Sequence, residues 1–118
     1  MTERRSIFCE TDEFIRGKIK TLLEFGIRPL ICLGETKLQR EKGIHEEVII
    51  SQLDKAISGL GSEEQLLCSI AYEPIWAIGS GKTATQDQVN SMHRVIRKKL
   101  VSLVSEPAAD GMKIIYGG

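Results

Sequence analysis

Glu73 is a carboxylate placed where a chain could use one. A nearly continuous apolar run, Leu66 to Ala71, leads into Tyr72-Glu73-Pro74. The bulky neighbours Tyr72, Ile75 and Trp76 would strip water from the carboxylate. Desolvation raises its affinity for a proton and makes it a better base near neutral pH. Trp76 is the only tryptophan, and Gly79-Ser80-Gly81 forms a small-residue tip beyond it. Backbone N–H groups of such a tip can approach an anion closely, because glycine has no Cβ. The pattern predicts a strand that ends in a general base, then a lid-like loop from Pro74 to Ala84. A plainer reading makes Glu73 an acid that caps a strand end or pairs with an arginine.

Other chemistry has less support. Gly81-Lys82-Thr83 follows one predicted strand and precedes a helix, as in a phosphate-cradling nucleotide loop. That motif needs glycine at position 76, where Trp76 stands. Nucleotide binding is therefore an alternative with a ring in its way. His45 and His93 fall in helical segments with no partner at metal-ligand spacing, which predicts no metal. Cys9, Cys32 and Cys68 form no CxxC pair. Cys32 and Cys68 sit in apolar runs and read as small buried hydrophobes of a reducing compartment.

Elements must place these groups. The 118 residues allow one domain. With 42% hydrophobic and 27% charged residues, the chain has the composition of a soluble globular protein. Equal numbers of acids and bases give zero net charge, which argues against nucleic-acid or membrane-surface partners. No apolar run is long enough to span a bilayer, and the start lacks the core of a signal peptide, so the expected location is the cytoplasm.

A first helix is predicted from Thr11-Asp12-Glu13, with Phe14, Ile15, Ile19, Leu22 and Leu23 on one face and Gly26 as its stop. Leu30 to Leu33 reads as a strand ending at Gly34-Glu35, with Pro29 just outside the pairing. Thr36 to Lys42 reads as a short helical turn ended by Gly43. A second helix carries Val48, Ile49, Leu53, Ala56, Ile57 and Leu60, and Leu66 to Ala71 forms a second strand. Thr85 and Gln88 have capping-box spacing at the head of a third helix that buries Val89, Met92, Ile96, Leu100 and Leu103. Pro107 and Asp110-Gly111 read as breaks before a third strand, Met112 to Tyr116.

Apolar, unalternating strands between amphipathic helices predict a parallel sheet covered on both faces. In such sheets function gathers at the carboxyl ends of the strands, here Glu35, Glu73 and Gly117-Gly118. Three parallel strands leave two long apolar edges, and the residues end directly after a strand, so the expectation is a piece of a larger sheet. Those edges also suggest a reading of another class, a non-catalytic half-barrel assembly module that pairs with a complementary half-chain or a second copy.

The stretch Ala71-Tyr-Glu-Pro-Ile-Trp-Ala-Ile-Gly-Ser-Gly-Lys-Thr-Ala-Thr85 resembles the active-site segment of triosephosphate isomerases. Cys32-Leu-Gly-Glu35, Thr2-Glu-Arg-Arg5 and Ile115-Tyr-Gly-Gly118 support the likeness. The resemblance implies an α/β fold that is part of a TIM (β/α)8 barrel, with three parallel strands alternating with three main helices. Residues 1–118 would form a single partial domain, from the loop after the fourth strand to the end of the seventh. It implies an isomerase of glycolysis and gluconeogenesis that interconverts dihydroxyacetone phosphate and glyceraldehyde 3-phosphate through an enediolate, without a cofactor, as a homodimer.

By the same resemblance Glu73 is the catalytic base, and Glu3 is a second catalytic acid beside the site. The lid comprises Pro74, Ile75, Trp76, Ala77, Ile78, Gly79, Ser80, Gly81, Lys82, Thr83 and Ala84, and the N–H of Gly79 donates to substrate phosphate. Glu35, Tyr72 and Tyr116 support the lid, with Glu35 near Trp76 and Tyr116 near Ala84. Gly117 and Gly118 begin a further phosphate loop. The lysine and histidine that face the base in the family are not among these residues, which implies a fragment that is inactive alone.

Overall fold

The computed structural model describes residues 12–77 and 83–117. Glu3, Cys9, Ile78 to Lys82 and Gly118 lie outside the described residues. In chain order the elements are α1 (Asp12–Glu24), β1 (Leu30–Leu33), α2 (Lys37–Glu41), α3 (His45–Ile57), α4 (Ser62–Leu66), β2 (Ser69–Tyr72), a 3-10 turn (Ile75–Ala77), α5 (Gln86–Leu103), α6 (Glu106–Gly111) and β3 (Ile114–Tyr116).

The three strands form one parallel sheet in the order β1-β2-β3. Ile31, Ile70 and Ile114 stand in register, as do Leu33, Tyr72 and Tyr116. Successive side chains of a strand point to opposite faces. Ile31, Leu33, Ile70 and Tyr72 point one way and are fully buried with Ile15, Ile19, Ile49, Leu53, Met92, Ile96 and Leu100 of the long helices. The helix α3 packs on both α1 and α5, so the three long helices form one layer.

The opposite row of the sheet carries Leu30 and Cys32, Ser69 and Ala71, and Ile115. Leu30 is 45% exposed and Ile115 46%. Among the described residues helices cover one face only, so the expectation that both faces are covered is not met there. The reason is topological. A doubly wound sheet reverses its strand order and places helices on both sides. Here the order is sequential with every long helix in one layer, which is the winding of a barrel wall whose inner face meets other strands.

Local chemistry sets the element ends. Gly26 and Gly43 both have φ of +74°, the left-handed region that favours glycine, and they stop α1 and α2. Thr36 caps α2 and Thr85 caps α5, each in a reciprocal capping box with Gln39 and Gln88. Two sequence expectations shift. The second strand begins at Ser69, because Ser62–Leu66 forms a short helix that turns at Leu67. Pro107 and Asp110-Gly111 do not break the chain; they lie in α6, where Ser105 caps and proline sits in the first turn, the one place a helix tolerates it. The third strand accordingly shortens to Ile114–Tyr116.

Candidate active site

Three strand ends converge. Glu35 follows β1, Glu73 follows β2 and Gly117 follows β3. Backbone bonds carry the ladder past the strands: Glu73 N–H donates to the Leu33 carbonyl at 2.7 Å, and Gly117 N–H donates to the Tyr72 carbonyl at 3.0 Å. Pleat alternation continues the row Ser69, Ala71, Glu73, so Glu73 belongs to the face the helices leave open. Its side chain is half-buried. A carboxylate there is held by its backbone at the carboxyl edge of a sheet and is not shut in the core, a position from which it can exchange a proton with a bound molecule.

The residues after Glu73 are anchored. Pro74 and Ala77 are buried. Ile75 N–H donates to the Glu35 carbonyl at 3.0 Å, and Ala77 N–H donates to the Pro74 carbonyl at 3.1 Å. These bonds wind Ile75 to Ala77 into the 3-10 turn. On the far side of the loop, Ala84 N–H donates to the Tyr116 hydroxyl at 3.3 Å, directly before the Thr85 cap. The rings of Tyr72 and Tyr116 lie with centroids 6.4 Å apart. The structure thus brings Tyr116 to Ala84. Thr83 to Thr85 are not helical, and α5 opens only at Gln86. A nucleotide loop would run from its glycine and lysine straight into the helix, so this departure weakens that alternative.

Beneath the first arm lies a buried ion cluster. The Glu35 side chain has no solvent exposure. The Tyr72 hydroxyl donates to its two carboxylate oxygens, each at 2.9 Å, and Arg40 Nε stands 3.3 Å from Oε2. The Arg40 guanidinium carbon also sits 5.5 Å from the centre of the Trp76 ring. Glu35 reaches Trp76 through this arginine as well as through its own carbonyl on Ile75. Burial, the Glu35 charge and the hydrogen bond to it push the Tyr72 phenol far above the usual tyrosine range. Gln52 of α3 grips the peptide just before Glu35, accepting from Gly34 N–H at 3.0 Å and donating to the Gly34 carbonyl at 3.1 Å.

Arg40 and Gln52 were not among the sequence candidates. Arg40 sits in a polar stretch that looks like solvated helix, and Gln52 is a polar residue on a helix whose neighbours are apolar. The second of these carries a signal, since a glutamine next to the core residue Leu53 needs partners.

Among the described residues, no group of three or more His, Cys, Asp or Glu could hold a metal ion, and no helix is long and apolar enough to cross a membrane. His93 is half-buried, and burial together with the nearby Arg97 charge lowers its pKa, against a hydrogen bond to the Ile115 backbone that raises it. Cys68 is buried, and burial with the Glu64 charge pushes its thiol up to about 11, whereas Cys32 is only half-buried. A thiol held protonated in this way is inert.

Glu3, Gly79 and Gly118 lie outside the described residues, as does the loop tip. Glu35, Tyr72, Glu73, Tyr116 and Gly117 gather at one end of the sheet, with Pro74 to Ala77 and Thr83 to Ala84 tied to it. Known proteins resemble this chain in sequence. The family profile for triosephosphate isomerase matches residues 2–118. The triosephosphate isomerase of Carboxydothermus hydrogenoformans is 45% identical over 117 residues, which are 99% of this chain and 47% of the relative. Those of Acetivibrio thermocellus and a Thermoanaerobacter species are 42% and 44% identical over the same share of each. The chain spans about half the length of the curated relatives it matches. With the profile matched along nearly its whole length, the chain belongs to the triosephosphate isomerase family.

Proposed function

We propose that this chain carries the proton-moving part of a triosephosphate isomerase, and that the whole enzyme interconverts dihydroxyacetone phosphate and glyceraldehyde 3-phosphate. The observation that carries the reading is the placement of Glu73, backbone-bonded at the carboxyl end of β2 on the open sheet face. In the reaction the Glu73 carboxylate takes a proton from the carbon beside the carbonyl. The C–H electron pair becomes the enediolate double bond, and the carbonyl oxygen takes up negative charge. Glu73 then returns the proton to the neighbouring carbon, while the hydroxyl proton passes from one enediolate oxygen to the other, so that the first carbon becomes the carbonyl and the second carries the hydroxyl. No cofactor enters.

The remaining roles follow from the family likeness. Pro74 to Ala84 close over the substrate and exclude water, and Gly79 N–H donates to its phosphate. Glu3 is a second acid beside the site. Glu35, Tyr72 and Tyr116 hold the two arms, and Gly117-Gly118 start a further phosphate loop. The oxygen charge of the enediolate needs donors, and the lysine and histidine that supply them in the family are not among these 118 residues. The chain alone is therefore inactive, and the whole enzyme is a cytoplasmic homodimer.

The test is a full-length chimaera in which these residues replace the matching segment of the Carboxydothermus relative. It turns over glyceraldehyde 3-phosphate, and Glu73→Gln lowers kcat by about 10²–10⁴-fold, the usual share of a general base. A folded chimaera that is inactive, or one indifferent to Glu73, refutes the reading. The isolated chain shows no rate above the solution background.

A second reading is favoured by the open face that exposes Leu30 and Ile115. On this reading the chain is an assembly module that pairs with a complementary half-barrel or a second copy.

A further inference from the structure

A buried carboxylate and an aromatic ring share one cation in this structure. Glu35 is wholly buried, and its charge is answered by the Tyr72 hydroxyl and by Arg40. The same guanidinium lies over the ring of Trp76, the middle residue of the 3-10 turn in the loop arm. Arg40 is itself well placed to serve as a fixed point. It stands on the one-and-a-half turns of α2, pinned in front by the Thr36–Gln39 capping box and behind by Gly43 in the left-handed region. Its side chain is only 21% exposed.

We propose that Arg40 is a positioning residue that clamps the Trp76 end of the loop to the buried Glu35, and so sets where the arm leaving Glu73 rests. The physical case rests on how a guanidinium differs from other cations. It is planar and weakly hydrated, so it can pair with a carboxylate at its Nε edge and present a flat face to indole at the same time. Glu35 neutralises the cation and lets it sit in a poorly hydrated place, where the attraction to the ring is strongest. The ring thereby becomes a handle by which the buried charge holds the chain three residues after Glu73. Two backbone bonds, Glu73 to Leu33 and Ile75 to Glu35, fix the start of this arm. The cation fixes its side-chain end. The consequence for catalysis rests on the isomerase reading, whereas the clamp itself does not.

Trp76 is the only tryptophan, so its emission reports the clamp directly in the chain. Arg40→Met keeps the stem and removes the charge. We expect its Trp76 emission to shift to the red and acrylamide quenching to rise, as the free-arm population grows by about fivefold. Arg40→Lys restores the ion pair but not the planar contact, and its quenching falls between the two. Helix content by circular dichroism should be unchanged in both. A second measurement needs no variant. In the wild-type chain labelled at arginine nitrogens, the Arg40 Nε–H resonance should be shifted upfield by the indole ring current and slow to exchange with water. Unchanged emission and quenching in Arg40→Met overturn the clamp. If that variant fails to fold, an unshifted, fast-exchanging Arg40 resonance in the wild type overturns it. Neither readout uses turnover, so an active chimaera with an unclamped Trp76 sinks this inference alone, and a clamped Trp76 with an inactive chimaera sinks only the isomerase reading.

Discussion

A carboxylate without solvent persists only if nearby groups stand in for water. For Glu35 those groups are the Tyr72 hydroxyl and Arg40. Tyr72→Phe keeps the ring in the core and removes the donor. It should destabilise the fold by about 1–3 kcal/mol, the penalty for an unsatisfied buried polar group. Urea unfolding of the two chains at pH 7 measures the difference. The same residue predicts an alkaline signature. Its folded pKa lies above the unfolded value near 10, because burial and Glu35 oppose the phenolate. Above about pH 10 the unfolded chain therefore binds fewer protons at this site than the folded chain, and stability falls as pH rises. Below that pH the contribution is fully present. The loss of stability between about pH 9 and pH 11 should be smaller in Tyr72→Phe. Equal slopes for both chains would rule out Tyr72 as the group responsible.

At the scale of the element, Thr85 ends one arm of the loop and starts the longest helix. Its hydroxyl accepts from Gln88 N–H at 3.2 Å, and the Gln88 side chain accepts from Thr85 N–H at 2.8 Å. Thr85→Ala breaks the box and should cost about 1 kcal/mol of stability. Thermal melting tests this, and a Tm equal to that of wild type would count against the cap. Elements of this kind were readable in the sequence because their signals are local. A hydroxyl three residues before an amide, a glycine after an apolar face and an unbroken apolar run each act on their own neighbours. The short helix Ser62–Leu66 was missed because Leu66 and Leu67 continue the apolar pattern of the strand that follows, and periodicity cannot divide so short a run. The helix α6 was missed for the opposite reason, since Pro107 reads as a break unless Ser105 is recognised as its cap. Glu73 was found from its place after an apolar run. Arg40 could not be found that way, because its partners, Glu35 and Trp76, meet only when β1, β2 and α2 are in place.

For the molecule as a whole, the winding decides what is left uncovered. Sequential parallel strands with one helical layer bury Ile31, Leu33, Ile70 and Tyr72 of the helix-facing row and leave Leu30 and Ile115 of the other row exposed. A closed barrel fills that inner face with side chains from its other strands and removes both edges. The relatives, about twice as long, have residues to do so. In this chain Leu30 and Ile115 instead remain nearly half exposed, on the two outer strands of the sheet. Apolar side chains and unpaired strand edges on one surface favour association with another copy. The purified chain should therefore gain weight-average mass with concentration in light scattering. Ile115→Lys and Leu30→Lys should each shift it toward monomer, since a lysine on an outer strand must lose its hydration before a second sheet can pack there. Because both side chains already face solvent, neither substitution should change the stability of the monomer by more than about 0.5 kcal/mol. That separation matters: a variant that is monomeric because it has unfolded would melt early, whereas a variant that has only lost its contact surface would melt as wild type does in dilute solution. A wild-type chain that stays monomeric at every concentration would show that the open face is stable in water, and the assembly reading would fall with it.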